Sequence, residues 1–450
     1  MVPRGLLRRA SRLQDVGRRL PRAAAEPVIP DRSRALCGCG PTTSRGRGPK
    51  AQRSPSTCSG AATGRTPPGL VVGVLVVALA GCAGGTGDAA TKPAPFTASP
   101  TADPLAFPAS AFADLREGPL PGPVRASLQR ALRESAGGVG VTATVITAEG
   151  TWTGATGTAD GKRPLVPRDQ MAIGSLTKTV IAAQVMQLVE AGKLSLEDDA
   201  ANHLPQSLTF DTNSATVGDL LGMRSGIPDY IDAIWRSLST DKRHVWTTDQ
   251  LLARVGPNRA PVRAAFEYSS TNYLLLGLVI EQVTARPVAE VLRLGVLRGP
   301  GLQRLIYQPE ERPTAPMAVP DGASASTLKG AGGYLPSLAG ASAAGPAGGM
   351  ASDSATVARW WGRLCGGQVV SVASLAAMTS FGASGEYGLG LGNKADEHGR
   401  WAVGNEGQQV GFSAKAVCVP EQGIVITVLS NDGDFAGPVT TALAAAIGLS

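Results

Sequence analysis

Strand-like sequence lies at the two ends of one long stretch and helical sequence fills its middle, a separation that constrains the fold more than any other feature. From Val139 to Thr147 small apolar residues alternate at Val141, Ala143 and Val145, and Ala148-Glu149-Gly150 turns into a second extended segment, Thr151 to Gly157. Three further strand candidates close the chain: Tyr387 to Leu391, Phe412 to Cys418 and Ile424 to Leu429, followed by an Ala-rich helix from Val439 to Ile447. A helix with Val124, Leu128, Ala131 and Leu132 on one face precedes the first strand. Between the two ends, helical spacing marks the run after Ser175, Val217 to Leu221, Thr248 to Val255 (capped by Thr247 or Thr248), Leu274 to Val283 and Met350 to Leu364. Gly322 to Gly349 holds few large apolar side chains and reads as a long loop. Strands at both ends pair most simply in one sheet that joins the chain ends. The expectation is an α+β fold, an antiparallel sheet flanked by helices with an inserted mainly helical region.

Charge and composition divide the chain before that stretch begins. Residues 1–70 carry 14 of the 42 basic residues and 3 of the 35 acidic ones, so the remainder is mildly acidic despite the formal charge of +7. The C-terminal part therefore offers no electrostatic case for nucleic-acid binding. Residues 1–68 are rich in Arg, Pro, Gly and Ser and read as a disordered leader that does not belong to the native product. Arg8-Arg9 resembles a twin-arginine signal, but its apolar run lies far downstream. Residues 69–82 hold that run, Leu70 to Ala80, too short for a bilayer span of ~20 residues but suited to a signal-peptide core. It ends Leu79-Ala80-Gly81-Cys82, which resembles a bacterial lipobox and implies lipidation at Cys82. The alternative is a plain secretory signal with a chance cysteine. Residues 83–118, of Gly, Ala, Thr, Pro and Ser, read as a flexible linker, and residues 119–450 as the folded domain. The expected location is thus an exported lipoprotein facing outward from a bacterial envelope.

Within the domain, Ala172-Ile173-Gly174-Ser175-Leu176-Thr177-Lys178-Thr179 opens an apolar helix that Gly192 ends. Ser175 falls at its first turn and Lys178 one turn later on the same face. A serine beside an amine at a helix start is a candidate activated nucleophile; the plainer reading is an ordinary N-cap serine. The same Ser-x-x-Lys spacing recurs at Ser239 to Lys242 and at Ser326 to Lys329, where no buried helix follows. No cysteine or histidine spacing suits a metal, and no cofactor is implied. Cys365 and Cys418 either form a disulfide, if the domain is exported, or remain two buried thiols.

Several ordered matches together resemble the serine β-lactamase and D-alanyl-D-alanine carboxypeptidase family, most closely class C β-lactamases, the Streptomyces-type carboxypeptidase and related esterases. The matches are Ser175 to Lys178, Tyr268-Ser269-Ser270 with its flank Thr271-Asn272-Tyr273, Ser225-Gly226-Ile227-Pro228-Asp229-Tyr230, Gly348-Gly349-Met350 and Tyr387-Gly388-Leu389-Gly390. The resemblance implies a serine hydrolase that forms an acyl-enzyme through Ser175, with Lys178 and Tyr268 moving protons. It also implies an oxyanion hole from the backbone N–H groups of Ser175 and Gln408, and substrate contacts at Ser270, Asn405 and Gly407. Two positions depart from the pattern. Ser270 stands where the family usually has Asn, and Asn405-Glu406-Gly407 stands where it has Lys or His, any residue, then Gly. Asn405 carries no charge, so recognition of a substrate carboxylate is weakened. His203, His244 and His398 sit outside every motif, against a Ser-His-Asp triad. The expected partners are a small-molecule or peptide substrate and a membrane reached through the lipid anchor. The competing reading is a non-catalytic envelope binding protein on the same fold.

Overall fold

The computed structural model describes residues 107–449, apart from 114, 116–117, 235–236, 321–331, 383–384, 395–400 and 435. The Arg-rich leader, the signal-like run, Cys82, most of the 83–118 linker, Ser326, Lys329 and His398 lie outside the described residues.

The main sheet has six strands in the order β2-β1-β9-β8-β7-β6. Strands β1 (Val141–Thr147) and β2 (Gly150–Thr156) come from one end of the domain. From the other come β6 (Gly392–Asn393), β7 (Val403–Gln409), β8 (Phe412–Val419) and β9 (Ile424–Ser430). Val141 pairs with Ser430 and Val145 with Ile426, all strand pairs being antiparallel, so one sheet joins the two ends as the sequence predicts. A second sheet, β3 (Met171–Ala172), β5 (Met350–Ser352) and β4 (Ile306–Tyr307), has three short strands in the order β3-β5-β4. The helices that position the site or cover the sheet are α1 (Gly122–Ser135), α2 (Leu176–Glu190), α3 (Val217–Leu221), α4 (Thr271–Thr284), α5 (Leu338–Gly348), α6 (Ser354–Cys365) and α7 (Ala436–Ala446).

The period-two pattern of β1 assigns its faces. Val141, Ala143 and Val145 join Leu128 and Leu132 of α1 and Val439 and Leu443 of α7 in one core. The intervening Thr142 and Thr144 are fully buried on the opposite face, where Thr144 Oγ1 lies 3.0 Å from Ser354 Oγ at the start of α6. Helix α6 is also tied to β8 by the Cys365–Cys418 disulfide, which resolves the two readings of that pair.

Several local readings are corrected. Helix α2 is buried from Leu176 to Met186 without a solvent face, so its apolar spacing marks a helix enclosed on all sides rather than an amphipathic one. The stretch read as a loop over 322–349 contains α5, which packs closely on α4. A Cβ added at Gly277 on α4 would come 2.4 Å from Pro346 Cγ. Met350 to Ser352 form β5 rather than the start of a helix, because Asp353 caps α6 by accepting from Thr356 N. Tyr387 to Leu391 is not a strand; Tyr387 makes only an isolated bridge to Gly392. Strand β7 was not anticipated at all. At the N-terminal side, Phe107 and Phe112 are buried, Phe107 edge-on to Trp401, so the described end of the 83–118 segment packs on the domain instead of running free. Among the described residues no helix is long and apolar enough to cross a membrane.

Candidate active site

The site forms where the start of α2 meets the edge of β7. Gly174 turns the chain with φ +51, and a Cβ there would lie 2.5 Å from Gln408 O and 2.6 Å from Gln408 N. On the other side of the contact, a Cβ at Gly407 would lie 1.9 Å from Ile173 O and 2.9 Å from Ser175 N. Two glycines thus let the backbone of β7 touch the turn that carries Ser175.

Ser175 is the N-cap of α2, yet its side chain makes no capping hydrogen bond. Its Oγ instead accepts from Lys178 Nζ at 3.0 Å and from Tyr268 Oη at 2.7 Å. The ordinary-cap reading of Ser175 therefore fails on its own criterion. Lys178 is 1% exposed. Its Nζ also donates to Ala347 O at 2.7 Å and reaches Ser270 Oγ at 3.5 Å, and it lies 4.9 Å from the centre of the Tyr268 ring. Tyr268, at 42% exposure, faces the cleft. The side chains read from sequence as nucleophile and proton carriers are all in one hydrogen-bonded cluster.

Each is held from behind. The end of α5 and the start of β5 support α2: Ala347 O takes Lys178, and Met350 N donates to Thr177 Oγ1 at 3.1 Å. The loop after α3 cradles the Tyr268 segment. Met223 O accepts from Glu267 N, and Met223 Sδ lies 3.5 Å from Ser269 N and 3.3 Å from Asn272 Nδ2. Ser225 Oγ donates to Asn272 Oδ1 at 2.6 Å, Asp229 Oδ2 accepts from Ser270 N at 2.9 Å, and Thr271 Oγ1 donates to Pro228 O. Burial raises the phenols of Tyr230 and Tyr273 well above their ordinary value, so both remain neutral donors, Tyr230 to Ala343 O and Tyr273 to Leu221 O.

Ser175 and Tyr268 open into a cleft of about 710 Å³ lined also by Asn405, Gly407 and Gln408. Asn405 is 7% exposed; its Oδ1 accepts from Glu406 N at 2.9 Å and its Nδ2 lies 3.5 Å from both Thr179 Oγ1 and Gly390 O. Glu406 on the exposed side of β7 bonds Lys415 Nζ at 2.9 Å and Lys394 Nζ at 3.3 Å. Burial alone would raise the Glu406 carboxyl; the Lys415 bond, with Lys394 beside it, outweighs this and holds it below the usual value.

Sequence reasoning singled out neither Lys394 nor Lys415, and weighed neither Glu406 nor Met223 as a site residue. The signal for Lys415 was the two-residue turn Val410-Gly411, which sets Gln409 opposite Phe412 and therefore Glu406 opposite Lys415. His203 pairs with Asp198 and His244 meets Trp246 edge-on; neither lines the cleft. Among the described residues no cluster suits a metal ion.

A family model described as Beta-lactamase matches residues 126–448. Among curated proteins, penicillin-binding protein 4 of Amycolatopsis lactamdurans is 34% identical over 142 residues, 31% of this chain and 36% of that protein. Protein flp of Staphylococcus aureus (strain N315) is 32% identical over 133 residues, 28% of this chain and 25% of its own length. These matches thus span about a quarter to a third of the relatives. Among solved structures, a D-stereospecific amidohydrolase from Streptomyces sp. is 26% identical with a TM-score of 0.59, covering 72% of this chain and 99% of its own. A D-amino acid amidase from Ochrobactrum anthropi SV3 has a TM-score of 0.62 at 22% identity, over 72% of this chain and 98% of its own, a likeness of fold alone.

Proposed function

This chain belongs to the beta-lactamase family of serine hydrolases, and we propose that it cleaves amide or ester bonds of envelope-related substrates through an acyl-enzyme on Ser175. One observation carries the reading: Ser175 Oγ, free of any capping duty, is held at once by Lys178 Nζ and Tyr268 Oη at the mouth of a cleft.

In this reading Lys178 reacts as the neutral amine: Ser175 Oγ attacks the substrate carbonyl carbon, and its proton passes to Lys178 Nζ, with Tyr268 Oη as the relay between them and the leaving group. The carbonyl oxygen, now negative, is met by the backbone N–H groups of Ser175 and Gln408, whose segments the two glycines bring into contact. The C–N or C–O bond then breaks, and Tyr268, the cleft-facing member of the pair, hands the proton to the departing amine or alcohol. Water repeats the sequence in reverse to release the acid. The likeness to a D-stereospecific amidohydrolase favours D-configured amides as the substrate class.

The test is Ser175→Ala. Because the hydroxyl caps nothing, the variant should fold as the parent does and lose turnover of p-nitrophenyl esters and of D-amino acid anilides. Turnover at the parent rate would place the nucleophile elsewhere.

Export and anchoring through Cys82 belong to the same proposal. The lipobox-like run and the Cys365–Cys418 disulfide, a bond favoured outside the cytosol, support it. A product begun just before Arg65 should still reach the envelope. Retention of that product in the cytoplasm, with the full-length chain exported, would contradict it.

A further inference from the structure

The cleft wall beside Ser175 contains a carboxylate that is already in the grip of two lysines. Glu406 and Lys415 are direct cross-strand partners in the β7–β8 pair, and Lys394 follows β6 on the other side of β7. Glu406 Oε1 accepts from both, at 2.9 Å from Lys415 and 3.3 Å from Lys394. Gly407, the next residue along, is the one pressed against the Ser175 turn. The cluster therefore lies one residue from the place where the strand meets the nucleophile, and all three side chains line the same cleft.

We infer that Glu406 is a built-in competitor for carboxylates: it fills the anion-binding position that Lys394 and Lys415 would otherwise offer, and so selects neutral or amino-bearing amides and esters over acidic ones. The inference rests on the cleft being the substrate site proposed above. Without Glu406, two ammonium groups with three donors each would face an incoming anion. With it, an incoming anion meets a carboxylate in place, and the other charged groups of the described lining, Glu386 and Asp434, are acidic as well. Asn405 adds no cation to compensate. Selectivity thus comes from a repulsive group as much as from attractive ones.

The test uses two p-nitrophenyl esters of matched length, the half-ester of glutaric acid and its methyl-capped neutral form. Glu406→Gln should raise the ratio of kcat/KM for the acidic over the neutral ester about tenfold, one decade of affinity being a modest electrostatic change. Adding Lys394→Met and Lys415→Met should abolish that gain. A ratio altered less than twofold, or a gain that survives loss of both lysines, overturns the inference. A second measurement needs no turnover: in the Ser175→Ala background, NMR titration should show glutarate binding about tenfold tighter with Glu406→Gln, and dimethyl glutarate should show no such gain. Unchanged glutarate affinity overturns the inference. A glutarate gain without hydrolysis of either ester by the parent enzyme would uphold it while refuting the proposed activity.

Discussion

Gly407 and Ser175 belong to segments far apart in the chain, yet a Cβ on Gly407 would come within 2.9 Å of the Ser175 backbone nitrogen and 1.9 Å of Ile173 O. Strand β7 and the start of α2 are in contact through bare backbone. Any side chain at 407 must push them apart. Gly407→Ala should therefore lower kcat/KM by about 10²–10³, the usual effect of losing one oxyanion donor, with Lys178 and Tyr268 intact. Steady-state kinetics beside a thermal melt checks this; parent-like kinetics in a folded variant would show that the close approach is not needed.

Asn405, which the motif resemblance sets at a Lys or His position, is turned toward Thr179 and Gly390 with its carbonyl bonded to the next backbone N–H. A charge-assisted bond is roughly twice as strong as a neutral one, so the missing cation is worth ~1–2 kcal/mol of carboxylate binding. Asn405→His or Asn405→Lys should raise kcat/KM for carboxylate-bearing substrates more than for neutral esters. The gain should grow when Glu406→Gln is added. Equal improvement of both substrate types would remove Asn405 from the specificity argument.

Met223 reaches the Tyr268 segment through sulfur. Its Sδ lies 3.5 Å from Ser269 N and 3.3 Å from Asn272 Nδ2 and is fully buried. Met223→Leu keeps the volume and removes the acceptor, leaving buried donors unsatisfied at ~1–3 kcal/mol. The expected result is a lower kcat with KM little changed, because the loop sets where Tyr268 stands rather than what the cleft binds. Met223→Gln, which returns an acceptor, should recover part of kcat. A fall in KM-governed binding alone would contradict a positioning role.

The fold was legible wherever residue pattern and packing agree. Alternation in Val141, Ala143 and Val145 gave a true face of β1, and the order of Ser175, Lys178 and Tyr268 gave a true cluster. Strand β7, Val403–Gln409, was hidden because Val-Gly-Asn-Glu-Gly-Gln-Gln shows no apolar alternation. Of its inward positions Val403, Asn405, Gly407 and Gln409, only Val403 is a core side chain, while Asn405 and Gly407 serve the cleft. Helix α5 was hidden for the opposite reason. Its sequence is mostly Ala and Gly and carries little apolar bulk, so no period stood out, and the close packing on α4 is made by Gly277 against Pro346. Ser270 matched by position, but only the structure shows that its short side chain leaves a 3.5 Å contact to Lys178.

The disulfide closes a separation of 53 residues between α6 and β8. By chain entropy a loop of that size contributes about 4 kcal/mol against unfolding. Cys365→Ala with Cys418→Ala, or reduction of the parent, should lower the thermal midpoint without changing kcat/KM, since neither cysteine lines the cleft. A midpoint unaffected by reductant would mean the pair is not bonded in the protein as purified.

Ser175 is the nucleophile of the proposed reaction. A fluorophosphonate reacts at such a serine by losing fluoride and leaving a stable phosphonyl adduct, which intact-mass measurement of the full chain and peptide mapping detect. The expected result is a single adduct on the peptide containing Ser175, slowed by Tyr268→Phe and by Lys178→Met and absent from Ser175→Ala. An adduct on another residue, or a parent protein that stays unmodified while a known serine hydrolase in the same tube is labelled, would contradict it.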